Sequence, residues 1–335
     1  MAATTTLSEA RVSPTRRFIK RNYKVGIAYL ILIALLIAFG VLQPRLFTKP
    51  VITATSNQGM ALVFAGMAQT AVVITGGIDL SVGPIVSLSN SLASTLFGDS
   101  VIGVIGVILL ILLVGATAGL VNGLIVVYGR LQPIIVTLAT ASIYSGFALW
   151  LRPQPGGYVP RWYGELLTGR IFDLVPGSLV LLALVLLLVW MPFRRSKLGL
   201  AVYAIGSNEA AAYMSGLNVN RAKLAAYTLG GFLAAVAGLF LTAQTSSGDA
   251  TIGAVYTLQS IAAVVLGGTS LMGGSGGVAG TIAGAYVLSL ISSVLFFAGV
   301  NPLSQPFFQG LVLLAAVSIG ATRIFTIKNR LDIMR

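Results

Sequence analysis

The sequence predicts an all-α polytopic membrane protein of about ten transmembrane helices, some of them short or broken, with both termini on the cytoplasmic side. Three observations lead there. The chain has 335 residues, of which 56% are hydrophobic and only 9% charged, where a soluble domain carries about 25% charged residues. So little charge cannot cover the surface of a protein this size, and most of its area must face lipid. Apolar runs of roughly spanning length recur along the whole chain, and the basic residues gather in alternate connections between them.

The first run, Val25 to Leu42, follows a basic tail, residues 1–24, that carries Arg11, Arg16, Arg17, Lys20, Arg21 and Lys24. "QPRLF" follows the run in place of a small-residue cleavage site, so it reads as an uncleaved helix and not as a signal peptide. Further apolar segments fall at 52–75, 82–97, 101–128, 133–151, 177–191, 222–243, 256–268, 278–298 and 305–321. A spanning helix needs about 20 residues. The segments 82–97 and 256–268 are short, as helices broken at transport sites are. With ten spans, sixteen Lys and Arg fall on the inner side and five on the outer side, in agreement with the positive-inside rule. The membrane domain is therefore 25–321, followed by a cytoplasmic tail, 322–335. The loop 152–176, rich in Pro, Gly and aromatics, falls outside. The loop 192–221 falls inside, and "TAQTSSGDA", Thr242 to Ala250, falls at the outer face as a polar loop or a contact for an external partner.

Composition also excludes chemistry. Cysteine and histidine are absent. That removes disulfides, thiol nucleophiles, Cys/His metal sites and the usual general base. No catalytic residue and no metal site is expected. The net charge of +13 reports topology and not nucleic-acid binding. "GGTSLMGGSGG", Gly267 to Gly277, is glycine-rich like a phosphate loop, but a Walker A loop requires G-x-x-x-x-G-K-[ST]. No Lys occurs between Lys223 and Lys328, so no ATP cofactor is expected in this chain.

Two stretches form a local repeat. Residues 71–83 read "AVVITGGIDLSVG" and 262–274 read "AAVVLGGTSLMGG". Aligned without gaps, they share Gly76/Gly267 and Gly77/Gly268, and both close a span running toward the cytoplasm. These glycines, with Asp79, Ser81, Thr269 and Ser270, are hinge or pathway candidates; close packing is the alternative. Asp99 closes the same helix 20 residues after Asp79, about 30 Å along an ideal helix. Asp79 is thus expected near the cytoplasmic interface. There Asp79 or Ser81 caps the helix that begins near Val82, with Pro84 in its first turn; a pathway or gating role is the alternative. "RLQPIIVTLATASIY", Arg130 to Tyr144, brings Gln132 and Thr137 into a span. Such hydroxyls mostly bond their own backbone, although a polar solute path also needs them.

In the inner loop, Glu209 to Met214 is a short helix-prone piece. Ser207 or Asn208 can cap it, and Gly216 follows as a stop. A short capped helix with small residues suits docking into a partner's groove. "GSNEAAAYMSGLNV", with "SIAAVVLGGTSLMGG", "TGGIDLSVG" and the weaker "LQPIIVTLAT", resembles the ribose/monosaccharide-type inner-membrane permeases of ABC importers, over roughly 51 to 320. The resemblance implies a permease dimer (a homodimer, or a heterodimer with a related permease) in the bacterial inner membrane. It implies a separate cytoplasmic ATPase that binds and hydrolyses ATP, and a periplasmic sugar-binding protein. It makes 192–221 the coupling loop, with Asn208, Glu209, Ala210, Ala211 and Gly216 as its contacts. Two departures from the family pattern stand out. Tyr144, Ser145 and Gly146 occupy a region where members often carry Arg-Gly, and Thr257 and Gln259 stand where acidic residues are common. The competing functions are an ion-coupled secondary transporter, for which only Asp79 could serve as an in-membrane acid, and a permease for branched-chain amino acids.

Overall fold

The computed structural model describes residues 14–304 together with 307, 308, 310, 311 and 314, with side chains from Tyr23 onward. The expected span 305–321 and the tail 322–335 fall outside the continuously described residues, as do residues 1–13 of the basic tail. The elements run α1 (Pro14–Leu42), α2 (Lys49–Val73), α3 (Val82–Leu96), α4 (Val101–Tyr128), α5 (Pro133–Leu151), α6 (Arg161–Thr168), β1 (Arg170–Ile171), β2 (Val175–Pro176), α7 (Gly177–Val185), α8 (Met191–Arg195), α9 (Lys197–Ser207), α10 (Glu209–Met214), α11 (Val219–Thr245), α12 (Ala254–Leu266) and α13 (Val278–Phe297). The two strands pair antiparallel, Arg170 opposite Pro176. A π-helical turn, Leu186–Trp190, joins α7 to α8. It precedes Pro192, whose missing N–H interrupts the regular ladder.

Among the described residues six helices are long and apolar enough to cross a membrane: Tyr23–Leu42, α4, α5, the α7–α8 rod, α11 and α13. The ladder of α12 is shorter, at 13 residues. Hydropathy sorts the helices by position. Leu30 and Ile37 of α1 and Ile102, Leu109 and Leu113 of α4 are exposed, as lipid-facing residues should be. From Met60 to Val73, by contrast, every residue of α2 is buried, and α2 packs on α3, α11, α12 and α13. A helix enclosed by other helices has no need of a lipid-compatible surface. It can carry Gln69, Thr70 and several glycines and alanines instead.

Small residues set the helix spacing. Without a hydrophobic drive between helices in lipid, close backbone approach and van der Waals contact hold them. One close seam is α4 on α11. A Cβ at Gly115 would lie 2.6 Å from the Gly231 carbonyl oxygen, and one at Gly119 would collide with the Tyr227 carbonyl oxygen. Gly59 meets the Tyr286 ring of α13 in the same way, with 2.7 Å left for a Cβ.

The connections gather at two ends of the bundle. At one end Arg152 donates to Ser94 O (3.0 Å) and Thr95 Oγ1 (2.7 Å). Gly156 and Gly248 exchange two backbone hydrogen bonds (2.9 and 2.8 Å). Asn90 bonds Thr242 Oγ1, Ser247 O and Asp249 N, which ties "TAQTSSGDA" onto α3. Here the loop 169–176 is clasped to α2 by the Lys49–Asp173 ion pair, with Arg170 Nε 3.5 Å from the same carboxylate. The Lys49 ammonium hydrogen-bonded to Asp173 holds that carboxyl below the usual carboxylate range. Its folded value is lowered, so whatever stability it adds is present above the ordinary carboxylate range and lost as pH falls through the lowered value. Both side chains are exposed, so the contribution is small. At the opposite end lie the α2–α3 break, the α4–α5 turn, the α9–α10 junction and the α12–α13 break, with Lys24 of α1 against Gly268 of the last.

The glycine seam is testable. Gly119→Val forces a side chain against backbone, and overpacking of this kind costs about 1–3 kcal/mol or more. The variant is expected to lower the thermal unfolding midpoint in detergent by several degrees. Gly106→Ala, in the same helix with no atom within 4 Å of the added Cβ, is expected to hold the midpoint or raise it slightly, since Ala is the better helix former.

Candidate functional site

Two structures occupy the end of the bundle opposite the Lys49–Asp173 clasp: a short surface helix and a pair of helix breaks that it leans on.

The surface helix is α10. The Asn208 side chain accepts from Ala211 N at 2.9 Å, so Asn208 is the cap and Ser207 is not; Ser207 Oγ turns back to Tyr203 O (3.1 Å). Gly216 stops the helix in the left-handed region (φ 78°), with Leu217 N donating to Ala212 O at 3.1 Å in a Schellman closure. Glu209 sits in the first turn, where the helix dipole favours a carboxylate. It does not project alone, because Lys223 Nζ of α11 donates to its Oε1 at 2.7 Å. Ala212 is buried, while Asn208, Glu209, Ala210 and Ala211 are exposed. Tyr213 and Met214 stand out at 73% and 80% exposure. The helix therefore presents small residues beside one aromatic and one thioether side chain, a surface that packs readily into a groove.

α9 carries this helix. Ser196 caps α9 through Gly199 N (3.1 Å), and Ala201, Val202 and Ile205 bury one face, packed with α11. At its end, Gly206 lies against both breaks. A Cβ there would collide with the Ile74 carbonyl oxygen and the Gly274 nitrogen. Those two atoms are hydrogen-bonded to each other: Gly274 N donates to Ile74 O at 2.9 Å. Tyr203 Oη donates to Gly276 O at 3.2 Å. A backbone junction thus joins α9 to the ends of α2 and α12.

The repeat takes concrete form here. α2 ends at Val73 and reaches a left-handed glycine at Gly76 (φ 84°); α12 ends at Leu266 and reaches one at Gly268 (φ 82°). The left-handed position is therefore one place off the ungapped alignment, since Gly76 aligns with Gly267. Close packing accounts for the neighbouring glycines. A Cβ on Gly267 would collide with Gly280 of α13, and one on Gly77 would lie 2.8 Å from Tyr227 Oη. Thr269 Oγ1 accepts from Gly277 N (3.1 Å) and Ser270 Oγ from Met272 N (3.2 Å), so both hydroxyls brace the second break.

Asp79 lies in the first break and is wholly buried. Its Oδ1 accepts from Ser81 N at 2.8 Å and from Ser81 Oγ at 2.6 Å. Ser81 precedes the first residue of α3 and makes no side-chain cap bond. The carboxylate therefore ties down the residue before the helix and does not cap the N–H groups within it. The network continues outward. Asn122 Nδ2 of α4 donates to Ser81 Oγ (2.7 Å), and Tyr144 Oη of α5 donates to Ala118 O (3.0 Å) and lies 3.3 Å from Asn122 Oδ1. Leu80 N donates to Thr137 Oγ1 (3.0 Å), and Thr137 also bonds Pro133 O of its own helix (2.8 Å). The Gln69 amide, turned as its surroundings require, spans the Asp79 peptide: Nε2 donates to the carbonyl (2.9 Å) and Oε1 accepts from the N–H (3.2 Å). Asp79 Oδ2 and Tyr227 Oη have no hydrogen-bond partner among the described residues.

Gln132 is exposed at the start of α5 and outside this network. Asn122 and Gln69 belong to it, Tyr227 lies beside it with its Oη unbonded, and none of the three was singled out from sequence. Asn122 and Gln69 are lone amides in otherwise apolar helices, which is the signal that could have found them. No group of three or more acidic residues able to hold a metal occurs among the described residues.

A double-mutant cycle tests the network. Asp79→Asn and Asn122→Ala share Ser81, and residues in one hydrogen-bond network couple by about 0.5–3 kcal/mol. The double variant is expected to unfold at a midpoint higher than the sum of the two single losses implies. Strict additivity would separate the two residues.

Comparison with known proteins completes the picture. The model of a family described as branched-chain amino acid transport system / permease component matches residues 51–317. The ribose import permease protein of Escherichia coli (strain K12) is 36% identical over 319 residues, covering 92% of this chain and 97% of the relative. The ribose import permease protein of Bacillus subtilis (strain 168) is 38% identical over 258 residues, 76% of this chain and 79% of the relative. The autoinducer 2 import system permease protein of Escherichia coli O9:H4 (strain HS) is 29% identical over 306 residues, 89% and 92% of the two chains. No solved structure matches the chain.

Proposed function

The chain belongs to the branched-chain amino acid transport system / permease component family, and from that premise we propose that it is the membrane permease of an ABC importer for a monosaccharide or a similar small polar solute. It is a transport subunit and not an enzyme. ATP is bound and hydrolysed on a separate cytoplasmic ATPase, a periplasmic binding protein delivers the solute, and two permease copies form the path in the bacterial inner membrane. The import permeases for ribose and autoinducer 2 support the sugar-like reading.

One observation carries the mechanism: α9 and α10 are joined, backbone to backbone, to the breaks that end α2 and α12. In this reading α10 docks on the ATPase, and its displacement reaches α2 and α12 through Gly206, Ile74 and Gly274. The solute path lies beside these helices. Close packing of the junction means that force passes with little slack, because packed interiors are stiff. The permease contributes two states, and ATP on the partner biases them.

The topology follows. The end of the bundle carrying α10 also holds Arg194, Arg195, Lys197, Arg221 and Lys223 in its connections, and Arg130 in the α4–α5 turn. That end is cytoplasmic by the positive-inside rule. Lys24 of α1 lies there too, against Gly268. Ten spans, with both termini inside, complete this arrangement.

Ala211→Arg adds a long charged side chain on the exposed face of α10 and leaves the buried Ala212 alone. The folded permease is expected at normal yield, with its affinity for the co-expressed ATPase, measured by pull-down titration, reduced about tenfold or more, as fits loss of a contact at an interface centre. Unchanged ATPase binding and transport would remove α10 from that role.

A further inference from the structure

α1, α2, α7 and α13 enclose a groove, toward the end of the bundle opposite α10, that nothing above has used. Its volume is about 660 Å³, within the range of ligand pockets. α1 supplies one whole side. Leu32, Leu36 and Gly40 form one row and Ile33, Ile37 and Val41 the next, each at the spacing of four that stacks side chains on one helix face. Ile52 of α2, Leu179 of α7 and Leu290 of α13 belong to the other walls.

The local chain explains why the groove stays open. α1 is held to the bundle through α13. Phe39 shares a buried cluster with Leu46 and Leu290, the Phe39 and Phe297 rings are 5.5 Å apart, and Tyr29 Oη donates to Ala279 O at 3.1 Å. The two rows of α1 are left to face the gap toward α2 and α7. Gly40 widens that gap near the end of α1, where a Cβ would meet Leu46 Cδ2 alone, at 3.3 Å. The walls are also poor in free polar groups. Ser56 Oγ is bonded to Ile52 O (2.8 Å) and Tyr286 Oη to Ser56 O (3.0 Å), so both hydroxyls are turned onto α2 backbone.

Length and charge indicate the occupant. From Leu32 to Val41 α1 rises about 14 Å, close to half of the roughly 30 Å hydrocarbon core, the depth of one leaflet. Ile33, Ile37, Val41 and Phe47 are exposed, so the groove opens sideways, where lipid lies. Cations gather at its mouth. Arg45 adjoins Leu46 and Phe47 of the lining, and Lys49 opens α2. Arg170 Nη1 donates to Lys49 O and Thr53 Oγ1 (both 3.1 Å). One carboxylate, Asp173, serves Lys49 and Arg170 together, and none pairs with Arg45 among the described residues. An apolar slot one leaflet deep, with excess positive charge at the interface, matches an acyl chain below a phosphate. The chain that follows α13 is a poorer match, because residues 298–321 contain no acidic side chain to meet those cations.

We propose that this groove holds one anionic phospholipid of the outer leaflet, with an acyl chain between α1 and α2 and its phosphate on Arg45 and Lys49, and that this lipid completes the seat of α1. The leaflet rests on the topology given above; the groove is independent of the solute. The test uses the permease assembled with its ATPase, purified in detergent, and native mass spectrometry with added phosphatidylglycerol or phosphatidylethanolamine. The expected result is one retained phosphatidylglycerol per permease chain, with phosphatidylethanolamine held about tenfold or more weakly. Glycerol 3-phosphate, which has the phosphate and no acyl chain, is expected not to displace it. Leu36→Trp and Ile37→Trp fill the groove, and Arg45→Gln removes the unpaired cation; each is expected to lower phosphatidylglycerol retention about tenfold or more. Leu109→Trp, on the exposed face of α4, is expected to leave it unchanged. Arg45→Gln, at an exposed position, keeps the test if a Trp variant fails to assemble. Retention unchanged in Arg45→Gln and in the Trp variants that assemble, or lost equally in Leu109→Trp, would mean annular lipid only and overturn the proposal. Displacement by glycerol 3-phosphate would mean a free-phosphate site and overturn it. No retained lipid on the unaltered protein would mean that 305–321 or a second copy fills the groove, and would overturn it too.

Discussion

The structure depends on one small contact. The Ile74 carbonyl accepts from Gly274 N at 2.9 Å, and Gly206 lies directly against both atoms. Three parts of the chain far apart in sequence meet there as bare backbone. No residue other than glycine could occupy position 206 without pushing them apart, because a Cβ would collide with the hydrogen-bonded pair. The requirement is steric and local, and its consequence is global. α2, the buried central helix, ends at the place where α9 arrives with α10 behind it, and the break that follows the short helix α12 reaches the same place.

The rest of the bundle is arranged so that this junction can exist. A helix that stops inside a membrane protein leaves carbonyls and N–H groups to be satisfied without water. At the first break Asp79, Ser81, Asn122, Gln69 and Thr137 provide the partners; at the second, Thr269, Ser270 and the backbone of 273–277 do. Asp79 therefore serves first as an organiser of backbone, bonding the residue ahead of α3 and held through its own peptide by Gln69. Around this polar core the α4–α11 glycine seam brings two long helices into backbone contact. That seam delivers Asn122 and Tyr227, from different helices, to the neighbourhood of the same break.

Much of the fold was legible in the sequence. Nine of the apolar segments named there correspond to helices or helix rods among the described residues, because hydrophobic length is the dominant signal for a chain in lipid. The stop at Gly216 and the cap of α10 were also legible, since capping rules are local; only the choice between Ser207 and Asn208 needed coordinates. What pairs with what was not legible. Glu209 reads as a free acid until Lys223, 14 residues on, is seen to reach it. Gln132 and Thr137 read alike, but their places on α5 expose one and bury the other. The two "GG" pairs align in sequence, yet the left-handed turn falls on the first glycine of one and the second of the other. The meeting of the two breaks at Gly206 is a property of three-dimensional packing, and no periodicity announces it.

The central claim is that α10 and the two breaks move as one body when the importer cycles. Spin labels on Tyr213→Cys and Met272→Cys, both exposed positions in a chain with no other cysteine, measure it by pulsed electron–electron distance spectroscopy in the assembled transporter with only one permease copy labelled. The account predicts one narrow distance distribution that is the same without nucleotide and with ATP bound. A distribution that shifts or splits between those two conditions would show that α10 moves independently of the breaks, and would contradict it.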